Sequence, residues 1–252
     1  MLALNAVRLQ RAGQLFGPFD LSLAAGERVA VLGPSGAGKS TLLNLMSGGV
    51  RPDVGVLELQ GERLDRLRPA ERARRRAVLP QSHRLAFGLP VELVVSLGRW
   101  GRGDEARHIG PALAWAQASH LRDRRYDELS GGEQARVQLA RVLAQLADVE
   151  GGLLLADEPL AALDPGLQLE LLDLLQRFCA ERGHALVAVL HDLQQALQGF
   201  ERLWLMRAGR VLVDHPANSA ALPLLGDLFG LRLQALELPE GGWALAARRA
   251  AA

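Results

Sequence analysis

The chain has 252 residues, 49% hydrophobic and 23% charged, with a formal net charge of +1. This balance fits an ordinary soluble globular chain, and the charge excludes a global attraction to nucleic acid or to an anionic membrane. Any such contact would need a local patch. The length suits one core with an inserted or appended piece. One cysteine, Cys179, cannot form an internal disulfide; it reads as a small buried hydrophobe in a reducing compartment. The start, "MLALNAVRLQ", lacks the basic and long apolar segments of a signal peptide. No apolar run approaches the roughly twenty residues needed to span a bilayer.

In chain order, "ALNAVRLQ" and "FDLSLAAGERVAVLG" alternate apolar and polar residues, which predicts short strands joined in a hairpin. A strand over Val29 to Leu32 leads into a glycine loop, and a helix over Ser40 to Met46 opens from it. "GVLELQGERL" is a strand with a turn, and "RPAERARRRAVLPQ" a short basic helix followed by a strand at Ala77 to Leu79. Pro90 to Leu121 has helical spacing, broken near "GRWGRGDEARHIGP", and reads as a small helical subdomain. The helix after Gly132 ends near Asp148. "GGLLLADEP" is a buried-strand run that ends in acids. A helix from about Gly166 to Arg182 precedes the strand "ALVAVLH". A short helix and the strands "RLWLMR" and "RVLVD" follow. The tail adds a helix and the hairpin "LRLQALELPEGGWALAAR", turning at Pro239 to Gly242. Strand and helix alternate after the glycine loop, so the core is α/β with parallel strands and no internal repeat.

The residues Gly33, Pro34, Ser35, Gly36, Ala37, Gly38, Lys39 and Ser40, followed by Thr41, fit G-x-x-x-x-G-K-[ST] in full. In that pattern backbone amides close round phosphates, the lysine reaches the β- and γ-phosphates, and the hydroxyl ligates Mg²⁺. Asp157 and Glu158 end an apolar strand, at the sheet edge where α/β proteins bind ligands. Beside a phosphate loop, Asp157 suits Mg²⁺ and Glu158 suits polarising an attacking water; alone they would read as two acids in a solvated turn. His191 ends another strand and suits either a γ-phosphate contact or a plain structural role. Gln81, after "AVL", is equally open. His83, His108, His120, His184 and His215 show no metal-ligand spacing and read as structural or surface residues. Ser130, Gly131 and Gly132 at a helix start can bind an anion through free N–H groups. The same residues fit a plain cap with Glu133 as the box partner, although capping does not explain the second glycine.

Taken together and in order, the phosphate loop, Gln81, "LSGGEQ", "LLLADEP", "ALD" and His191 resemble the ATP-binding cassette (ABC) ATPase family over nearly the whole chain. The resemblance implies a P-loop ABC-ATPase fold. It has an N-terminal antiparallel β subdomain and an inserted α-helical subdomain, with 1–81 and 150–252 as core and 82–149 carrying the signature. It implies ATP and Mg²⁺ as cofactors, with Ser40, Asp157 and Gln81 toward the metal, Glu158 as base and His191 on the γ-phosphate. Ser130, Gly131, Gly132 and Glu133 would serve ATP held by a second copy, with Asp164 at the shared interface. Gln81 would link the site to a transmembrane permease dimer working with a periplasmic substrate-binding protein. The chain would then sit peripherally on the cytoplasmic face of a bacterial inner membrane.

"ARRRAVLPQSHRLAFGLPVELVVSLGR", "LSGGEQARVQLARVLAQL" and "VAVLHDLQQAL" further resemble ATPase subunits of bacterial heme importers, within the iron–siderophore, heme and cobalamin uptake group. "PQSHRLAFGLPVELV" would face the permease. Some positions depart from the family pattern. Ala156 replaces a large aliphatic residue, and "PLAALD" lacks the common threonine and serine. No aromatic stands at Gln10 or Arg11 to stack on adenine, which leaves Phe16 as a substitute. The cluster Arg72, Arg74, Arg75 and Arg76 reads as a solvated helix face rather than a nucleic-acid site, since aromatics make up only 4% of the chain. An importer for siderophore or cobalamin, and a soluble ABC ATPase acting on nucleic acid, are the competing readings. The last of these lacks the coiled coil or second cassette it requires.

Overall fold

The computed structural model describes residues 1–81, 88–159, 163–239 and 242–249. His83 with residues 82–87 of the predicted permease-facing stretch, residues 160–162 of "PLAALD" and the tip of the tail hairpin lie outside them. In chain order the elements are β1 (Leu2–Arg11), β2 (Gln14–Leu23), β3 (Arg28–Leu32), α1 (Lys39–Ser47), β4 (Val54–Leu59) and β5 (Glu62–Arg63). Next come α2 (Pro69–Arg75), β6 (Arg76–Leu79), α3 (Val91–Ser96), α4 (Glu105–Trp115), α5 (Gly131–Leu146) and β7 (Leu153–Asp157). The remainder is α6 (Pro165–Glu181), β8 (Ala185–Val189), α7 (Leu193–Gly199), β9 (Arg202–Arg207), β10 (Arg210–Pro216), α8 (Leu222–Phe229), β11 (Leu231–Glu237) and β12 (Trp243–Arg249). This is the mixed α/β architecture that the strand and helix periods predict, antiparallel in β1, β2, β4 and β5, with parallel pairing of β3 with β9 and of β6 with β7.

The chain forms two compact units, and the boundary runs through β8. One comprises Leu2–Leu23, Glu27–Asp65 and Val187–Ala252. In it β2, β1, β4 and β5 make an antiparallel sheet in that order. Leu2, Leu4, Val7 and Leu9 of β1 are buried, as alternation requires, with a register shift at Ala6 and Asn5 that keeps Val7 and Leu9 inward. β3 pairs parallel with β9, Val29 opposite Arg202 and Leu32 opposite Leu205, and β9 pairs antiparallel with β10. Leu190 N–H, just past β8, donates to the Val31 carbonyl at 3.3 Å. Arg202 ties the unit together: its guanidinium donates to the Ser22 carbonyl, to Glu27 and to Asp214. The bond to Asp214 raises its pKa well above the ordinary arginine value. The tail hairpin pairs Leu231 with Arg249 and is fastened to α7, where Gln194 Oε1 accepts from Leu245 N–H and Gln198 Nε2 donates to the Trp243 carbonyl.

The other unit holds Arg66–Leu186 with Met1 and Ala24–Gly26. β6 runs parallel to β7, with Arg76 opposite Leu153 and Leu79 opposite Ala156. α5 is its axis, burying Ala135, Val137, Leu139, Ala140, Val142, Leu143 and Leu146. Arg99 is fully buried beside it, donating to the Ala144 carbonyl and to both Asp104 and Asp148. Gln145 donates to the carbonyls of Ala73 and Arg76, so the end of α2 is satisfied from α5. The arginine cluster therefore differs from a solvated face. Of the four, Arg74 is exposed and Arg72, Arg75 and Arg76 are half-buried, and burial lowers the Arg76 pKa. The break predicted near "GRWGRGDEARHIGP" is shorter than expected, because α4 continues through Pro111. Burial of Ile109, Ala112 and Leu113 on both sides holds the helix together across the missing N–H.

His184 is buried in this unit, its Nδ1 accepting from Gly152 N–H at 2.8 Å. Burial, reinforced by the charge of Arg182, lowers its pKa from 6.5 to about 4. The unfolded chain therefore binds a proton below pH 6.5 that the folded chain refuses down to about 4. Stability from this group is complete above the upper value and is lost as pH falls toward the lower. Urea midpoints measured from pH 7.5 to 4 should show a shallower acid decline in His184→Gln than in the parent.

Candidate active site

The glycine loop lies in the first unit described, and the carbonyls of Gly33, Pro34, Ala37 and Gly38 each have a partner in it. Lys39 Nζ donates to the Gly33 carbonyl at 2.9 Å and the Pro34 carbonyl at 3.3 Å. Ala37 N–H also donates to Pro34, at 3.1 Å, and the Gly38 carbonyl accepts from Leu42 N–H as the first bond of α1. Gly38 has φ +97, the left-handed conformation that a side chain disfavours. The loop and the helix start thus turn N–H groups to one side, and Lys39, only 5% exposed, lies back on the loop. This arrangement is a cradle for a polyanion. Ser35 and Gly36 are exposed, and Pro34, Ser40 and Thr41 half-buried.

In the other unit, Gln81 and Glu158 follow the C-terminal ends of the paired strands β6 and β7. Gln81 Nε2 donates to Glu158 Oε2 at 2.7 Å. Two residues singled out separately in the sequence are thereby joined. Glu158 has φ +44, an uncommon conformation outside glycine that fixes where its carboxylate leaves the strand. Asp157, one residue earlier, is half-buried at the end of β7. His191 is exposed after β8, and the next residue, Asp192, caps α7 by accepting from Gln195 N–H. Asp164 likewise caps α6, accepting from Leu167 N–H at 3.0 Å.

The start of α5 is a complete capping box. Ser130 N–H and Oγ both donate to Glu133 Oε2, at 2.8 and 2.9 Å, and Ser130 Oγ accepts from Glu133 N–H. Arg124 holds the other carboxylate oxygen at 2.9 Å. The backbone and hydroxyl of Ser130 keep Glu133 below the usual carboxylate range. The second glycine now has a local explanation. A Cβ at Gly132 would stand 2.6 Å from Leu167 Cδ2, whereas at Gly131 nothing lies within 4 Å. Gly132 lets the start of α6 approach α5, and Gly131 is the open position. Spacing alone could not separate the two, because Leu167 is distant in sequence.

Phe16 has no face to offer a base. It is buried, and a Cβ on Gly38 would stand 2.8 Å from its ring. Phe16 is therefore a support of the loop, not the adenine-stacking substitute expected. Asp104, His108 and Asp148 approach one another closely, but Arg99 and Arg102 already occupy those carboxylates, so the group is an ion-pair network. Among the described residues no helix is long and apolar enough to cross a membrane.

A family description, ABC transporter, matches residues 16–161. The chain is similar to the hemin import ATP-binding protein HmuV of Pseudomonas aeruginosa, with 43% identity over 99% of this chain and 100% of that protein. The protein of the same name from Myxococcus xanthus is 44% identical over 90% of this chain and 88% of its own. Among solved structures, the fold is similar to the ATP-binding cassette MJ0796, a dimer in a post-hydrolysis state bound to ADP and Pi. The TM-score is 0.75 at 25% identity, covering 87% of this chain and 100% of that one.

The two glycines of α5 should separate in stability. Gly132→Ala must displace Leu167, so its melting midpoint should fall about 2–4 °C below that of Gly131→Ala, a difference of roughly 1 kcal/mol. Equal midpoints by scanning calorimetry would contradict the packing role of Gly132.

Proposed function

Since the chain belongs to the ABC transporter family and is an ATP-binding, ATP-hydrolysing member of it, we propose that it is the motor subunit of a bacterial heme importer. The observation that carries this reading is similarity to proteins named for hemin import over 99% of this chain in one case and 90% in another. In this reading the loop Gly33–Thr41 holds the phosphates of one ATP, with Lys39 exchanging its bonds to the Gly33 and Pro34 carbonyls for phosphate oxygens. Glu158 polarises the attacking water, and its bond to Gln81 ties that carboxylate to the segment facing the permease. His191 contacts the γ-phosphate.

A second copy of the chain supplies Ser130, Gly131, Gly132 and Glu133 to the same ATP, with Asp164 at the interface between copies. Residues 82–149 act as the signature-bearing subdomain, with 1–81 and 150–252 as the core. Ser40, Asp157 and Gln81 offer hydroxyl, carboxylate and amide oxygens, the hard donor set that suits Mg²⁺. The donor end of the Gln81 amide is taken by Glu158, so its acceptor end is the one suited to a cation. When bound, the metal neutralises phosphate charge. The partners are a transmembrane permease dimer and a periplasmic heme-binding protein, with this chain on the cytoplasmic face of the inner membrane.

Closure of two copies on ATP and their separation after hydrolysis would be linked to the state of the permease. In proteoliposomes with permease and binding protein, heme should stimulate both ATP turnover and uptake. Stimulation by cobalamin or a ferric siderophore in place of heme would reject the cargo and leave the motor intact. Glu158→Gln should lower turnover by about 100-fold or more and accumulate ATP-bound dimers on size exclusion. Turnover at the parent rate would reject Glu158 as the base.

A further inference from the structure

The turn between β9 and β10 lies far from every motif, yet it holds the phosphate loop from behind. Arg207 pairs with Arg210, so the turn is the two residues Ala208 and Gly209, with φ +49 and +80 as a tight hairpin of this twist requires. Gly209 N–H donates to the Ala37 carbonyl at 2.9 Å, and its own carbonyl accepts from Gly17 N–H at 2.8 Å. Both backbone groups of one glycine therefore join β2 to the loop. The ring of Phe16 lies against Gly38 and Gly209, within 2.8 and 3.2 Å of where a Cβ on each would stand. One residue before the turn pair's flank, the Met206 backbone lies directly against Gly33.

A trans peptide unit is planar, with its C=O and the following N–H pointing in opposite directions. Anchoring the Ala37 carbonyl on Gly209 therefore turns the Gly38 N–H the other way, toward the concave side of the loop. We infer that Gly209 is a positioning residue for nucleotide phosphate binding, acting through the Ala37–Gly38 peptide, with the Phe16 ring packed against both glycines as a support. The inference rests on ATP binding by this chain and not on the identity of any cargo.

An N–H donated to a phosphate in the bound state and in the transition state alike affects affinity more than turnover. A Cβ at Gly209 is disfavoured by φ +80 and would stand 2.8 Å from the Leu15 carbonyl, so Gly209→Ala displaces the turn. Calorimetric titration of the full chain with ATP and with ADP in magnesium buffer should show Kd raised about tenfold for both nucleotides in this variant, with kcat at saturating ATP within about twofold. Ala208→Gly keeps the Gly209 N–H and should bind as the parent does. A folded Gly209→Ala protein with parental Kd overturns the inference, as does a loss confined to melting temperature and kcat. If Gly209→Ala does not fold, Phe16→Leu decides: a Kd raised about threefold at an unchanged melting midpoint supports the brace, and a parental Kd overturns it. Absence of ATP binding by the parent would overturn the nucleotide reading of the loop and the brace with it. Failure of heme transport alone touches neither.

Discussion

A loop that turns several backbone N–H groups toward an anion must find partners for the carbonyls that turn away, because each peptide carries both on opposite sides. That constraint governs the glycine loop of this chain. The Gly33 and Pro34 carbonyls are met by the Lys39 ammonium, and Gly38 is met by α1. The Ala37 carbonyl is met by a backbone N–H that arrives from the β9–β10 turn. Three of these carbonyls have local partners and one does not. The loop sequence can specify its own folding only as far as Lys39 and α1 reach. The remaining carbonyl depends on the rest of the unit being in place, including the clamp of Arg202 on Ser22, Glu27 and Asp214 at the start of β9.

The start of α5 solves the same problem by supplying its own anion. The Ser130 N–H and hydroxyl face Glu133, a carboxylate of the same helix that Arg124 holds from the other side. Hydrogen bonds from Ser130 favour the charged form of Glu133, so the Ser130 donors already carry a negative partner within one chain. A phosphate brought there by a second copy would compete with Glu133 for the hydroxyl rather than fill an empty place. The cap and the anion reading, which the sequence leaves compatible, therefore call on the same Ser130 donors. Gly131, with open space around it, is the residue past which that phosphate would have to come.

The elements were legible because their periods are clear. The β1 alternation, the buried run of β7 and the Ser130 to Glu133 box all depend on neighbours within a few residues. Features that depend on pairing distant segments were not. Gln81 and Glu158 could each be placed at a strand end, but their hydrogen bond follows from the parallel register of β6 and β7. Gly132 reads as part of an anion motif until Leu167 is found against it. Phe16 reads as an available aromatic until its ring is found beneath Gly38. The arginines of α2 read as solvated because their own spacing is polar, yet the helix end is met by Gln145 of α5 and Arg76 is drawn into partial burial.

Gly209 belongs to this second class, and it shows why motif reading stops where it does. A motif records the residues that face a ligand, since those are constrained by the chemistry of the ligand. The residues behind the loop are constrained by the loop, and their side chains need not be polar at all: here they are a glycine and a phenylalanine. What marks them is geometry, a positive φ with both backbone groups bonded to separate segments. An anion cradle built from peptide groups is only as well aimed as the carbonyls on its far side are held. The precision of the phosphate site in this chain is therefore set partly by a turn that no phosphate touches.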